Sequence, residues 1–104
     1  MVAVVERDVQ EEKGMKTIYR FDVPIQDQFS LKLPVGAHVL SVAERSNTAH
    51  MWVLLDNAPD VPAELRNFRV HGTGNPVADL DRLHFIGTVL LKGGRLVWHV
   101  FEVI

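Results

Sequence analysis

The chain has 104 residues, room for one domain, since domains mostly run ~100–150 residues. Its 47 per cent apolar and 23 per cent charged residues argue against intrinsic disorder, and the lack of cysteine excludes a disulfide scaffold, a thiolate metal site and a cysteine nucleophile. A formal net charge of −2 with basic residues dispersed along the chain leaves no electrostatic footprint for nucleic acid or an anionic membrane.

No apolar run approaches the ~20 residues of a membrane span. Val2 to Val5 is followed at once by Glu6, Arg7 and Asp8, unlike the long apolar centre of a signal peptide. A soluble cytoplasmic protein is the expectation. Residues 1–14 read as an N-terminal extension or edge arm, with Val2 to Val5 able to add an edge strand. Glu11-Glu12-Lys13-Gly14 must be encoded by purine-rich codons, as a bacterial ribosome-binding site would be. Met15 is therefore expected to be the natural start of a single β domain over 15–104, a reading that N-terminal sequencing of natively expressed protein tests.

From Lys16 to Ile25, Tyr19, Phe21, Val23 and Ile25 alternate with Arg20, Asp22 and Pro24, the period-two pattern of a half-buried strand that Pro24 ends. Phe29, Leu31 and Leu33 alternate with Gln28, Ser30 and Lys32 in a second strand. Leu33-Pro34-Val35-Gly36 predicts a type I turn with proline second and glycine fourth. Ala37 to Arg45 and Ala49 to Asp56 form a hairpin about Ser46-Asn47-Thr48, where Asn47 tolerates a positive φ. Met51 to Leu55 is apolar on both faces and predicts a central strand covered on both sides. Asn57 to Asn67, with Pro59 and Pro62, predicts a loop with one helical turn at Pro62 to Arg66, followed by a strand at Phe68 to Thr73.

Leu83 to Leu91 and Arg95 to Ile104 flank Lys92-Gly93-Gly94, a strong hairpin signal. With Gly93 and Gly94 as the loop, Thr88 faces His99, Leu90 faces Val97 and Ile86 faces Phe101. Gly87 then faces Val100 and leaves room for the Trp98 indole. About seven short strands and little helix define an all-β fold, a small antiparallel β-sandwich or barrel. More strand faces are apolar than one small sheet needs, which predicts a homo-oligomer.

The densest polar chemistry lies at Phe68 to Pro76. Arg69, His71 and Thr73 share one strand face, while Gly72, Gly74 and Asn75 form a loop whose backbone can approach a ligand closely. Arg69 suits a phosphate or carboxylate, with Thr73 and Asn75 adding neutral hydrogen bonds. The candidate ligand-binding set is therefore Arg69, His71, Gly72, Thr73, Gly74 and Asn75, and the ligand a small anionic or nucleotide-like molecule. The plainer alternative is a strand end with an ordinary glycine turn.

Five histidines lack the H-x-H or H-x-x-x-H spacing of a metal site, so neither a metal nor another cofactor is expected. His99 is read as a core histidine bonded to Thr88. Ser41 and Ser46 lack a G-x-S-x-G elbow, and Asp79 and Asp81 suit turns and caps. No catalytic residue is assigned.

Lys16-Thr17-Ile18-Tyr19-Arg20-Phe21, Pro34-Val35-Gly36-Ala37-His38-Val39-Leu40-Ser41-Val42, Phe68-Arg69-Val70-His71-Gly72-Thr73-Gly74, Phe85-Ile86-Gly87-Thr88 and Leu96-Val97-Trp98-His99-Val100-Phe101-Glu102 together resemble a family of small, uncharacterised bacteriophage proteins. The resemblance covers Met15 to Ile104. Where members of that family place histidine after the G-T-G segment, this chain has Asn75, so no acid or base role carries over to that position. The family implies no activity, only a viral context in the cytoplasm of an infected bacterium. In that context a binding protein that sequesters a ligand of host defence is one expectation. A protein–protein inhibitor of a host protein, or a virion accessory, is the alternative, and a nucleotide hydrolase dependent on His71 is a third.

Overall fold

The computed structural model describes residues 16–104, and both the Val2–Val5 strand and the start at Met15 lie outside them. Seven strands form two antiparallel sheets that face each other as a sandwich. β1 (Lys16–Asp22), β4 (Thr48–Asp56) and β3 (His38–Arg45) make a three-stranded sheet in the order β1-β4-β3. β2 (Gln28–Pro34), β5 (Ala63–Gly72), β7 (Leu96–Val103) and β6 (Leu83–Leu91) make a four-stranded sheet in the order β2-β5-β7-β6. No helix among the described residues is long and apolar enough to cross a membrane.

Period-two patterning sets which face of each strand is buried. Ala49, Met51, Val53 and Leu55 of β4 point inward, as do Phe29 and Leu33 of β2, Phe68 and Val70 of β5, Val89 and Leu91 of β6 and Val100 of β7. Phe29 and Phe68, cross-strand partners, stack with ring centroids 5.0 Å apart. Burying a side chain of this size contributes about 1.5–3 kcal/mol. The outward residues of β4, His50, Trp52 and Leu54, remain in a face that no other described strand covers. β4 is thus central within its sheet but covered on one side.

Several local expectations change. The turn after β2 is Pro34–Ala37, closed by the Ala37 N–H donating to the Pro34 carbonyl at 3.0 Å. Gly36 has φ +87°, so glycine is its third residue, as a type II turn requires, and not its fourth. The turn between β3 and β4 takes both Ser46 and Asn47 to positive φ, 54° and 60°, as a two-residue hairpin loop matched to sheet twist demands. Ala63 to Asn67 is strand, not a helical turn, because pairing with β2 from Gln28↔Arg69 to Pro34↔Ala63 satisfies the backbone that a single helical turn would leave open. The connection after β5 contains one short 3-10 turn, Leu80–Arg82, entered through Asp79 at φ 53° with no side-chain cap.

The β6–β7 register holds at Thr88↔His99, Leu90↔Val97 and Gly87↔Val100, but Phe85, not Ile86, faces Phe101. A bulge at Ile86 inserts one residue, and β3 carries a matching irregularity at Leu40. Bulges bend and twist a strand, and β3 and β6 are the two strands that come closest across the sheets. Gly87 lies in this seam. A Cβ there would sit 2.9 Å from Val42 Cγ2, so the missing side chain makes room for Val42 of the opposite sheet and not for Trp98.

One end of the sandwich is tied by charge. Arg66 of β5 donates from Nε and Nη2 to the two carboxylate oxygens of Glu102 on β7, and from Nη1 to the Ala37 carbonyl at 2.9 Å. Side-chain exposure is 18% for Arg66 and 11% for Glu102. The hydrogen bond to Glu102 raises the Arg66 pKa above its already high ordinary value; burial opposes this, and the charges of Glu102 and Glu64 add to it. A bidentate pair in which the third guanidinium nitrogen also finds an acceptor suits this buried place.

Candidate functional site

The opposite end of β5 carries the polar chemistry. Alternation puts Arg69 and His71 on the outer face of the four-stranded sheet, while Phe68 and Val70 enter the core. Arg69 lies beside Gln28 and Phe101 in neighbouring strands, and His71 beside His99. The strand ends in a turn over Gly72–Asn75, in which the Asn75 N–H donates to the Gly72 carbonyl at 3.1 Å. Gly74 has φ +92°, the conformation that reserves the third turn position for glycine. Gly72 has a different role: a Cβ there would meet Asn75 Nδ2 at 3.1 Å and Trp98 Cζ3 at 3.3 Å. Its bareness lets the Asn75 amide lie close to the indole.

A hollow of about 420 Å³ opens at this corner, lined by Asp27, Gln28, Arg69, Val70, His71, Gly72, Asn75 and Trp98. Its volume lies within the ~300–1,000 Å³ of small-molecule sites. The Val70 N–H donates to the Asp27 carbonyl at 3.0 Å, which fixes the start of β2 against β5 and sets Asp27 on the rim. His71 packs edge-on against Phe101 with centroids 5.6 Å apart at 80°, and Phe101 in turn meets Phe85 at 5.3 Å. This outer aromatic cluster holds the imidazole in place. His71 Nε2 and Trp98 Nε1 are both buried with no hydrogen-bond partner among the described residues.

Of the six residues expected in the site, Arg69, His71, Gly72 and Asn75 line this hollow. Thr73 turns away from it and contacts His99, whose Nε2 lies 2.8 Å from Thr73 Oγ1, while its Nδ1 lies 2.9 Å from Thr88 Oγ1. Gly74 shapes the turn without lining the hollow. His99 does bond to Thr88, but it belongs to the half-buried outer face and not to the core. A neutral imidazole donates through one nitrogen and accepts through the other, so one threonine hydroxyl accepts from His99 and the other donates to it. This hydroxyl–imidazole–hydroxyl chain orients the ring and could polarise one hydroxyl. Among the described residues, no three His, Asp or Glu side chains gather as a metal site would need.

Asp27, Gln28 and Trp98 belong to the hollow and were not expected there. Their placement depends on β2 and β7 pairing with β5, at sequence separations where no local signal exists. The loop composition Ile25-Gln26-Asp27 shows only a turn.

Fold and site together define a seven-stranded antiparallel β-sandwich with a polar, partly unsatisfied hollow at one end of its larger sheet. The chain belongs to the family of the domain of unknown function DUF7352, whose model matches residues 15–104. No curated protein and no solved structure matches it.

Proposed function

We propose that the protein is a small binding protein whose hollow at Arg69, His71, Gly72 and Asn75 takes a nucleotide-like anionic ligand. The observation that carries this reading is the pair of orphaned buried donors or acceptors, His71 Nε2 and Trp98 Nε1, on residues lining one hollow beside a cation. A buried polar atom left without a partner costs about 1–3 kcal/mol, and few survive in a fold without reason. Both atoms are closed off in the free protein, so a ligand removes that cost where its entry shifts the His71 or Trp98 ring and brings one of them to the wall of the hollow. Arg69 supplies the charge for a phosphate. Asp27, on the same rim, disfavours a bare polyanion and instead accepts from amino or imino groups, so a ligand with an anionic part and a donor-bearing planar part fits best.

The resemblance to bacteriophage proteins supports placing the protein in an infected bacterial cell, where holding such a ligand would antagonise a nucleotide-signalled defence. A thermal-shift screen with linear and cyclic nucleotides tests the reading. A ligand at ~100-fold over its Kd adds about 2.7 kcal/mol of stability. Failure of every nucleotide to shift the transition, or a shift left intact by Arg69→Ala, sinks it.

A second reading, a protein-facing role with self-association, draws on the outer face of the four-stranded sheet. Leu65, Phe85 and Leu90 are 61, 51 and 51% exposed there. We assign this face to a second copy of the chain, since the two-fold dimer, which pairs a surface with its like, is the commonest closed assembly. Sedimentation of wild type against Phe85→Lys checks it: a monomer in both removes the reading.

A further inference from the structure

We infer that the ligand carries two anionic groups separated by a nucleoside-sized spacer, as in a dinucleotide, and that it straddles the Gly72–Asn75 turn; the inference rests on the binding reading above. A second hollow, of about 260 Å³, lies on the other side of this turn and is lined by Gly72, Thr73, Asn75, Arg95, Leu96, Val97 and Trp98. The two hollows share Gly72, Asn75 and Trp98, so the turn and the indole form the saddle between them. Each has one arginine, Arg69 on the β2 side and Arg95 at the β6–β7 tip.

The chemistry of the two sides differs. The larger hollow sets Arg69 against Asp27 and adds Gln28, so it can read a planar polar group as well as a charge. Arg95 is the sole charged residue lining the smaller one, joined there by the Thr73 hydroxyl and Asn75. Such a lining suits an anion with little else to recognise. Among the described residues neither Arg69 nor Arg95 is engaged in an ion pair, in contrast to Arg66. Adjacent phosphates, as in a triphosphate, would sit on one side of the saddle. Arg95 stands six residues back along the chain from Phe101, the partner of Arg69, roughly 20 Å at ~3.3 Å per residue, so the ligand we infer sets its two phosphates a nucleoside apart, one for each arginine.

Gly72 makes the saddle low enough to cross. Any side chain there would press on Asn75 Nδ2 and the Trp98 ring and displace the amide that both hollows use. The β6–β7 tip is held in register on the neighbouring hairpin by the Lys92 N–H donating to Asn47 Oδ1 at 2.7 Å. Arg95 therefore projects from an anchored turn.

The test is calorimetric titration of the full chain with pApA, pGpG and pUpU and with the matching nucleoside 5′-monophosphates, in wild type, Arg69→Ala and Arg95→Ala. At least one dinucleotide is expected to bind about tenfold more tightly than its monophosphate. Arg95→Ala should remove that advantage while leaving the monophosphate affinity unchanged, and Arg69→Ala should weaken both. Equal affinity for the two ligand classes, or an advantage that survives Arg95→Ala, overturns the two-anion inference and leaves the binding reading standing. No binding by any of the six overturns the inference, and a failed wider thermal-shift screen then removes the binding reading as well. Arg95 is exposed, so loss of the fold does not confuse the result.

Discussion

The two ends of the β5–β7 ladder treat buried polar groups in opposite ways. At the Arg66–Glu102 end, six polar atoms form three hydrogen bonds between β5, β7 and the loop before β3. At the Gly72–Trp98 end, a few residues along the same two strands, His71 Nε2 and Trp98 Nε1 have no partner among the described residues. Arg66, His71 and Trp98 are all half-buried and Glu102 is buried, so the difference is not mainly one of burial. The satisfied end is explained by the fold alone. The unsatisfied end is not, which is why it is the place to seek a ligand.

The largest effect that tests this contrast is at the satisfied end. Glu102→Ala leaves the Arg66 guanidinium, which stays charged at every ordinary pH, in a largely buried site with the Ala37 carbonyl as its hydrogen-bond acceptor and only the more exposed Glu64 carboxylate, 3.7 Å from Nη1, as countercharge. Removing one partner of a buried pair costs ~3–5 kcal/mol, and the partial exposure of Arg66 puts the expectation toward the lower part of that range. Urea unfolding measures it. A loss under ~1 kcal/mol, ordinary for one exposed hydrogen bond, would show that the two ends do not differ as described. Replacing both residues with apolar ones of similar volume should recover much of the loss, because the cation deprived of its bidentate partner is then gone.

Between the ends runs the β3–β6 seam, and a packing change there separates sterics from polar chemistry. Gly87→Ala places a methyl 2.9 Å from Val42 Cγ2, and overpacking of this kind costs ~1–3 kcal/mol. Because the clash is with one side chain, Val42→Ala should cost less in the Gly87→Ala background than in wild type. A double-mutant cycle with no coupling would mean that the seam relaxes elsewhere. Neither substitution should alter ligand affinity.

The same division, local against long-range, governs what the amino-acid sequence shows. The alternation in Tyr19, Phe21 and Val23, the Asn47 turn and the diglycine at Gly93–Gly94 gave strands, hairpins and most of the β6–β7 register, because each signal lies within a dozen residues. The bulge at Ile86 has one local sign, Gly87, since a glycine inside a strand marks a bulge or a close approach; here it stands at both, beside the register shift and 2.9 Å (from an added Cβ) from Val42 across the sandwich. Ala63 to Asn67 was misread because Pro62 is as good a helix start as a strand start, and only pairing with β2 decides. The face shared by Arg69 and His71 was legible from period two. Asp27 and Trp98 were not, since their nearness to Arg69 is a property of the sheet order β2-β5-β7 and of no single segment.

The smallest effect is the most informative about the unsatisfied end. His71→Phe keeps a ring of similar size edge-on to Phe101 and replaces the orphaned Nε2 with carbon. At the Arg66–Glu102 end, loss of a buried polar group must destabilise. Here the desolvated nitrogen has no bond to lose, so stability should be unchanged or should rise by up to ~1 kcal/mol. If His71 instead serves the fold through a bond to an ordered water, the variant loses ~1 kcal/mol, and the orphan is structural. If the nitrogen is kept for a ligand, the apo protein tolerates Phe and the nucleotide-induced thermal shift falls. Thermal unfolding of both proteins, with and without the best nucleotide of the screen, reads the two quantities together. Unchanged or increased apo stability with a reduced ligand shift is the pattern that only a binding role for His71 produces, because a purely structural histidine would move both in the same direction.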